Sequence, residues 1–276
     1  MPYIKTSHKN ASEANLYYED WGSGKPVILI HGWPSSHEMW EYQLNELPRN
    51  GIRCIAYDRR GFGKSCKTWD GYDYNSLAAD LKTIIDELDL KDVTLVGFSM
   101  GGGEVIRYLT NYGKERISKA VLVSSIIPFM LKTDDNQDGI DKLVFDKFYS
   151  DIEDDRPAFL TGFGKQFFGE NFMNHPVSQQ FLDWAHMLTL QGSSRATLEC
   201  LRSFSETDFR NELLNLVLPF LIIHGDEDKT VPIELSSKKT SLLLQNAVYK
   251  IYGNAPHGLF YTEKKKLNAD LVNFII

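Results

Sequence analysis

Val93-Thr94-Leu95-Val96-Gly97-Phe98-Ser99-Met100-Gly101-Gly102-Gly103-Glu104-Val105-Ile106 joins a short apolar run to the start of a helix through a glycine-rich turn. Residues 93–96 suit a strand buried on both faces, and Val105, Leu109 and Tyr112 recur at helical spacing after the glycines. Between them, residues 97–101 read G-x-S-x-G. A serine on so sharp a turn is held in a strained backbone conformation, and only small flanking residues let the chain approach itself that closely. The turn lifts the Ser99 hydroxyl clear of the sheet and sets free helix N–H groups beside it. Ser99 is therefore a candidate nucleophile. The competing reading, a serine that merely caps a helix, leaves two further motifs unexplained.

Working outward, similar apolar runs stand at 27–30, 52–57, 120–123, 220–223 and 248–252. Runs of this length without strict alternation suit a parallel sheet covered on both faces, and helical spacing between them, as in 76–88, gives an α/β class with a mostly parallel central sheet flanked by helices. From about 126 to 209 no buried strand is expected, only helical periodicity in 142–149, 181–190 and 196–204. The expected organisation is a core of residues 1–125 and 212–276 carrying a helical lid, residues 126–211. That insertion is crowded with aromatics, most of them expected to form its own core.

The second motif, His224-Gly225-Asp226-Glu227-Asp228, follows the run 220–223 where a sheet's carboxyl edge presents loop residues. The third is Ala255-Pro256-His257-Gly258, placed after the run 248–252. A serine hydroxyl becomes nucleophilic when a base takes its proton, and a carboxylate must orient that base. His257 is the candidate base. Asp226, Glu227 and Asp228 compete for the carboxylate, and spacing alone does not choose between them. The order serine, acid, histidine suits a nucleophile on a strand-to-helix turn. A developing oxyanion needs two donors, and His31-Gly32-Trp33-Pro34 after the run 27–30 offers the Trp33 backbone N–H beside that of Met100. His31 itself reads as a structural residue.

Composition narrows the partners. With 30 Lys and Arg against 37 Asp and Glu, a net charge of -7, the chain lacks the cationic surplus that nucleic acid or anionic membranes require. A small neutral or weakly charged ligand is expected instead. Residues 1–10 lack the apolar stretch of a signal peptide, and the greasiest run, 213–223, is interrupted by Asn215 and Pro219. Cys54, Cys66 and Cys200 form neither an even set nor a CxxC pair, which suits reduced thiols and a cytoplasmic location. His8, His37, His175, His186 and His224 show no metal-ligand spacing, and Gly61-Phe62-Gly63 is no nucleotide fingerprint. No metal and no cofactor are expected.

The segments HGWPSSHEMW (31–40), AYDRRGFGKS (56–65), GYDYNSLAADL (71–81), LVGFSMGGGEVIRY (95–108), IIPFMLKTD (126–134), FSETDF (204–209), HGDEDKTVP (224–232), APHGL (255–259) and LNADLVNFI (267–275) resemble one branch of the α/β-hydrolases. That branch holds the cofactor-free haloperoxidases, or perhydrolases, and the bacterial aryl esterases, and the resemblance runs over nearly the whole chain. It implies Ser99, Asp228 and His257 as a catalytic triad, with Trp33 and Met100 as oxyanion donors. Esterase-type members often carry leucine after the oxyanion tryptophan; Pro34 is the residue of the perhydrolase type. Proline restricts the residue before it, which can turn the Trp33 carbonyl toward an attacking hydrogen peroxide. The resemblance thus implies that a small ester or carboxylate acylates Ser99, that peroxide intercepts the acyl group, and that the peracid oxidises halide in solution. The substrate pocket is expected to include Pro34, Phe98, Ile127 and Phe129 beside Trp33 and Met100. Lactone or lactam hydrolysis is the alternative within the fold, and a slow-turnover small-molecule receptor is the alternative outside catalysis. Symmetric homo-oligomers also occur among such relatives.

Overall fold

The computed structural model describes residues 2–9 and 11–276. Among them, eight strands form one sheet: β1 (Tyr3–His8), β2 (Ala11–Trp21), β3 (Lys25–Ile30), β4 (Ile52–Tyr57), β5 (Val93–Phe98), β6 (Ile117–Val123), β7 (Phe220–Gly225) and β8 (Ala247–Tyr252). Their spatial order is β1-β2-β4-β3-β5-β6-β7-β8, with β1, β2 and β4 paired antiparallel and the rest parallel. The central strands explain their own sequences. On β3, Ile28 and Ile30 enter one hydrophobic cluster while Val27 and Leu29 enter the other, because alternate side chains leave opposite faces and both faces are covered.

The helices are α1 (Glu41–Glu46), α2 (Tyr74–Glu87), α3 (Gly101–Tyr112), α4 (Lys142–Phe167), α5 (Gln179–Leu190), α6 (Ser194–Glu206), α7 (Arg210–Leu213), α8 (Ser237–Leu243), α9 (Leu259–Thr262) and α10 (Lys264–Ile275). On α2, Leu77, Leu81, Ile84 and Ile85 pack in the same cluster as Val105, Ile106 and Leu109 of α3. Leu267, Leu271 and Ile275 of α10 close the opposite face. The Asp73 side chain accepts the N–H groups of Asn75 and Ser76 at 3.0 and 3.1 Å and so fixes the start of α2, a cap worth about 1 kcal/mol.

Three features differ from the sequence expectation. Strands β1 and β2 were not anticipated, because they carry alternating and largely polar residues of which only Ile4, Thr6, Ala14 and Leu16 are buried. Strand β8, expected to be covered on both faces, ends the sheet and buries only Tyr252. Helix α4 extends far beyond residue 149 across a break at Asp155; Pro157 has no N–H to give, and Asp155 Oδ1 restarts the helix by accepting from the Ala158 N–H at 3.0 Å.

Between β6 and β7 the described residues contain helices and no strand. The aromatics there do not make a core of their own. Phe145 joins the cluster of α2 and α3, with Phe148, Phe159 and Phe163 packed against it, while Phe167, Phe168 and Phe181 join the cluster on the other face. Phe172 is 97% exposed. Among the described residues no helix is long and apolar enough to cross a membrane.

Candidate active site

Ser99 directly follows β5 and has φ 52, in the left-handed region that L-residues rarely occupy. The strain is held by its surroundings: the Ser99 N–H donates to Val123 O at 2.9 Å, and the Ser99 carbonyl accepts from Gly102 N–H at 3.1 Å. Glycine is required at 97 for lack of space. A Cβ there would stand 2.5 Å from Gly101 O and 2.7 Å from Gly102 N.

Five residues beyond β8, His257 turns its Nε2 to within 3.0 Å of Ser99 Oγ. Its Nδ1 lies 2.6 Å from Asp228 Oδ2, in the loop after β7. The other Asp228 oxygen accepts the N–H groups of Thr230 and Val231 at 2.9 and 2.8 Å. Burial by itself would raise the Asp228 carboxyl; the electrostatic attraction of the neighbouring His257 and hydrogen bonds from His224 and His257 outweigh burial and hold it well below the ordinary carboxylate range. All three side chains are buried. Asp226 instead receives the Asn254 N–H at 2.6 Å and is exposed, as is Glu227, so proximity to His257 singles out Asp228.

His224 is a neighbour that sequence reading passed over. Its Nε2 lies 3.1 Å from Asp228 Oδ2 and 2.9 Å from Val231 O, so one N–H is shared between the carboxylate and the loop that cradles it. Its spacing of four from Asp228 within one motif was the available signal.

Opposite Ser99, the turn after β3 runs beside the turn after β5, with Ile30 and Gly97 paired across the two strands. A Cβ on Gly32 would sit 3.2 Å from Ser99 Cβ and 2.6 Å from the Phe98 ring. Trp33 and Met100 are buried, and among the described residues neither backbone N–H donates to a protein acceptor. Two buried donors without partners are costly unless a ligand supplies the acceptor. The Trp33 indole N–H donates to Thr197 O of α6 at 2.9 Å, and its ring packs on Phe163 and Phe204 with centroids 5.3 and 5.4 Å apart. His31 accepts the Arg59 N–H at 3.0 Å and donates to Gly32 O at 2.8 Å, a pattern open only to a neutral imidazole. Burial, then the charge of Arg59, pushes its pKa down to about 3.

A cavity of about 230 Å³ opens onto Ser99 and His257. Ile126, Met130, Phe145, Phe148, Phe163 and Phe204 make it apolar, Trp33 forms one wall, and Gln166, Lys229 and Thr230 bring polar groups. Several expected pocket residues lie elsewhere, and their positions correct the sequence reading. The Phe98 side chain leaves β5 on the opposite face and packs beneath His257, ring centroids 5.0 Å apart. Ile127 is fully buried, its carbonyl accepting from Thr240 Oγ1 at 2.7 Å, and Phe129 lies under the Arg210 guanidinium. Pro34 lines a separate cavity of about 190 Å³ between α4 and α5, which neither Ser99 nor His257 reaches. Among the described residues no group of His, Cys, Asp and Glu is arranged to hold a metal ion.

A family profile described as alpha/beta hydrolase fold matches residues 25–264. The chain belongs to the α/β-hydrolase family. This α/β-hydrolase is 39% identical to a non-heme chloroperoxidase of Kitasatospora aureofaciens, over 94% of its own length and 95% of that protein's. It is 37% identical to a bifunctional esterase/perhydrolase of Acinetobacter calcoaceticus, over 100% and 99% of the two chains. A crystal structure of bromoperoxidase from Bacillus anthracis, 43% identical, superposes with a TM-score of 0.93 over 98% of this α/β-hydrolase and 99% of that chain. The eight-stranded, mostly parallel sheet is the fold of an enzyme family, and the resemblance read from the motifs is to these proteins.

Proposed function

We propose that this enzyme is a serine esterase for small carboxylic esters, with perhydrolase capacity, and that it works through an acyl group on Ser99. The reading is carried by the contact of Ser99 Oγ with His257 Nε2 at 3.0 Å inside an apolar cavity. His257 takes the hydroxyl proton as Oγ attacks the ester carbonyl, and Asp228 stabilises the imidazolium that forms. The unpartnered N–H groups of Trp33 and Met100 receive the oxyanion, each such donor being worth roughly 3 kcal/mol to the transition state. The alcohol leaves with the proton held by His257. Water then attacks the acyl group to give the acid, or hydrogen peroxide attacks it to give the peracid and free Ser99. Pro34, which sets the conformation of Trp33, favours the second outcome.

Residues 126–211 act in this proposal as a lid over the core of 1–125 and 212–276, with Trp33 tying the oxyanion turn to α6. The three cysteines, all unpaired with one another, accord with a cytoplasmic enzyme. The test is hydrolysis of p-nitrophenyl acetate and peracid formation from acetate and peroxide, in wild type, Ser99→Ala and Pro34→Leu. Both activities are expected to fall at least 10³-fold in Ser99→Ala. Pro34→Leu is expected to lose peracid formation while keeping ester hydrolysis. Ester hydrolysis undiminished in Ser99→Ala refutes the nucleophile, and an unchanged peracid ratio in Pro34→Leu refutes the role of proline.

A further inference from the structure

The cavity between α4 and α5 is separated from the catalytic cavity by Trp33 and Phe163, which line both and whose rings meet edge to face at 5.3 Å. We propose that this second cavity is a binding site for a small uncharged aromatic molecule. Its volume of about 190 Å³ is ample, since a dry apolar cavity of about 150 Å³ takes up benzene. Its walls are ring-rich: Phe167 and Phe168 meet edge to face at 4.9 Å, and Phe168 and Phe181 do so at 5.0 Å. Such walls present both ring faces and ring edges, which suits an aromatic guest over a branched aliphatic one.

His186 also lies on the wall, but its Nδ1 is shielded within the protein and offers a guest no hydrogen bond. The charged residues on the wall, Lys165 and Asp183, are solvent-exposed and belong to its rim. An ionised guest would therefore lose its hydration at the centre without gaining a counter-charge. Nothing in this argument depends on the acyl chemistry of Ser99.

The test is titration of phenol into the wild-type protein, followed by calorimetry and by ¹H–¹⁵N chemical shifts. Gly164 lies on the wall of the second cavity, and a Cβ there meets open space, so Gly164→Leu fills the cavity without touching backbone. Ala185→Leu is a second filling variant from α5, and Val144→Phe narrows the catalytic cavity alone. Thermal unfolding checks that each variant is folded. A saturable component that survives Val144→Phe and weakens at least tenfold in Gly164→Leu and Ala185→Leu is the expected result. Toluene is expected to bind with the same pattern across the variants. Absence of a component with that pattern, or binding lost only in Val144→Phe, overturns the site.

Discussion

Replacing Asp228 by asparagine tests the orientation of the candidate base with almost no change of shape. Asp228 Oδ1 accepts two backbone N–H groups, at 2.9 and 2.8 Å, while Oδ2 faces His257 Nδ1 at 2.6 Å and His224 Nε2 at 3.1 Å. An asparagine cannot turn its NH₂ toward the first pair, because that would set donor against two donors. Its oxygen must stay over Thr230 and Val231, which leaves the NH₂ facing His257. Nδ1 then has to accept, the imidazole proton moves to Nε2, and Nε2 can no longer take the proton of Ser99. This loss of the productive tautomer costs about 10⁴ in kcat. At 1.36 kcal/mol per decade that is roughly 5.4 kcal/mol of transition-state stabilisation. The assay is kcat for p-nitrophenyl acetate, with KM and the unfolding temperature measured beside it. A folded Asp228→Asn protein whose kcat lies within tenfold of wild type would refute the reasoning.

Three further outcomes are expected. Gly97→Ala forces a Cβ against Gly101 O and Gly102 N, opening the turn that carries Ser99; kcat is expected to fall about 10²-fold in steady-state assays, and an unchanged kcat would show that the turn tolerates the methyl group. Glu104→Ala leaves the buried Arg59 guanidinium without its counter-charge and the Tyr57 hydroxyl, now 2.6 Å from that carboxylate, without its acceptor. A loss of about 3–5 kcal/mol is expected from urea denaturation, and less than 1 kcal/mol would contradict the pairing. His31 has its pKa lowered from 6.5 to about 3, so the unfolded chain binds the proton more readily. Its contribution to stability is complete above pH 6.5 and is lost as pH falls toward 3. At pH 5 the loss is about 1.5 × 1.36, or roughly 2 kcal/mol. His31→Gln should show that much less destabilisation between pH 7 and pH 5; an identical pH dependence would remove the buried neutral imidazole from the account.

What sequence order reveals here is whatever depends on neighbours along the chain. The run 52–57 coincides with β4, and the glycines at 97 and 101–103 mark a turn whose crowding is a local property of backbone against backbone. The serine, the histidine and a choice of three adjacent carboxylates were readable for the same reason, since each sits where a strand gives way to a loop. Polar alternation hid β1 and β2, because an edge needs only one covered face and the residues that pair across it lie far apart in sequence.

The tertiary structure decided what depends on direction. Phe98 stands next to Ser99 in sequence, yet the pleat of β5 sends its side chain to the opposite face, while Phe204, more than a hundred residues away, lines the cavity at Ser99. Asp228 rather than Asp226 meets His257, because the Thr230 and Val231 N–H groups hold its carboxylate in the buried bend of the loop while Asp226 faces solvent. The sequence by itself determined the strand-and-turn frame and the residue types that the chemistry requires. Which side chains converge on one point was settled only when sheet order and helix packing brought residues 99, 228 and 257 together, since side-chain direction follows from contacts that the linear order does not contain.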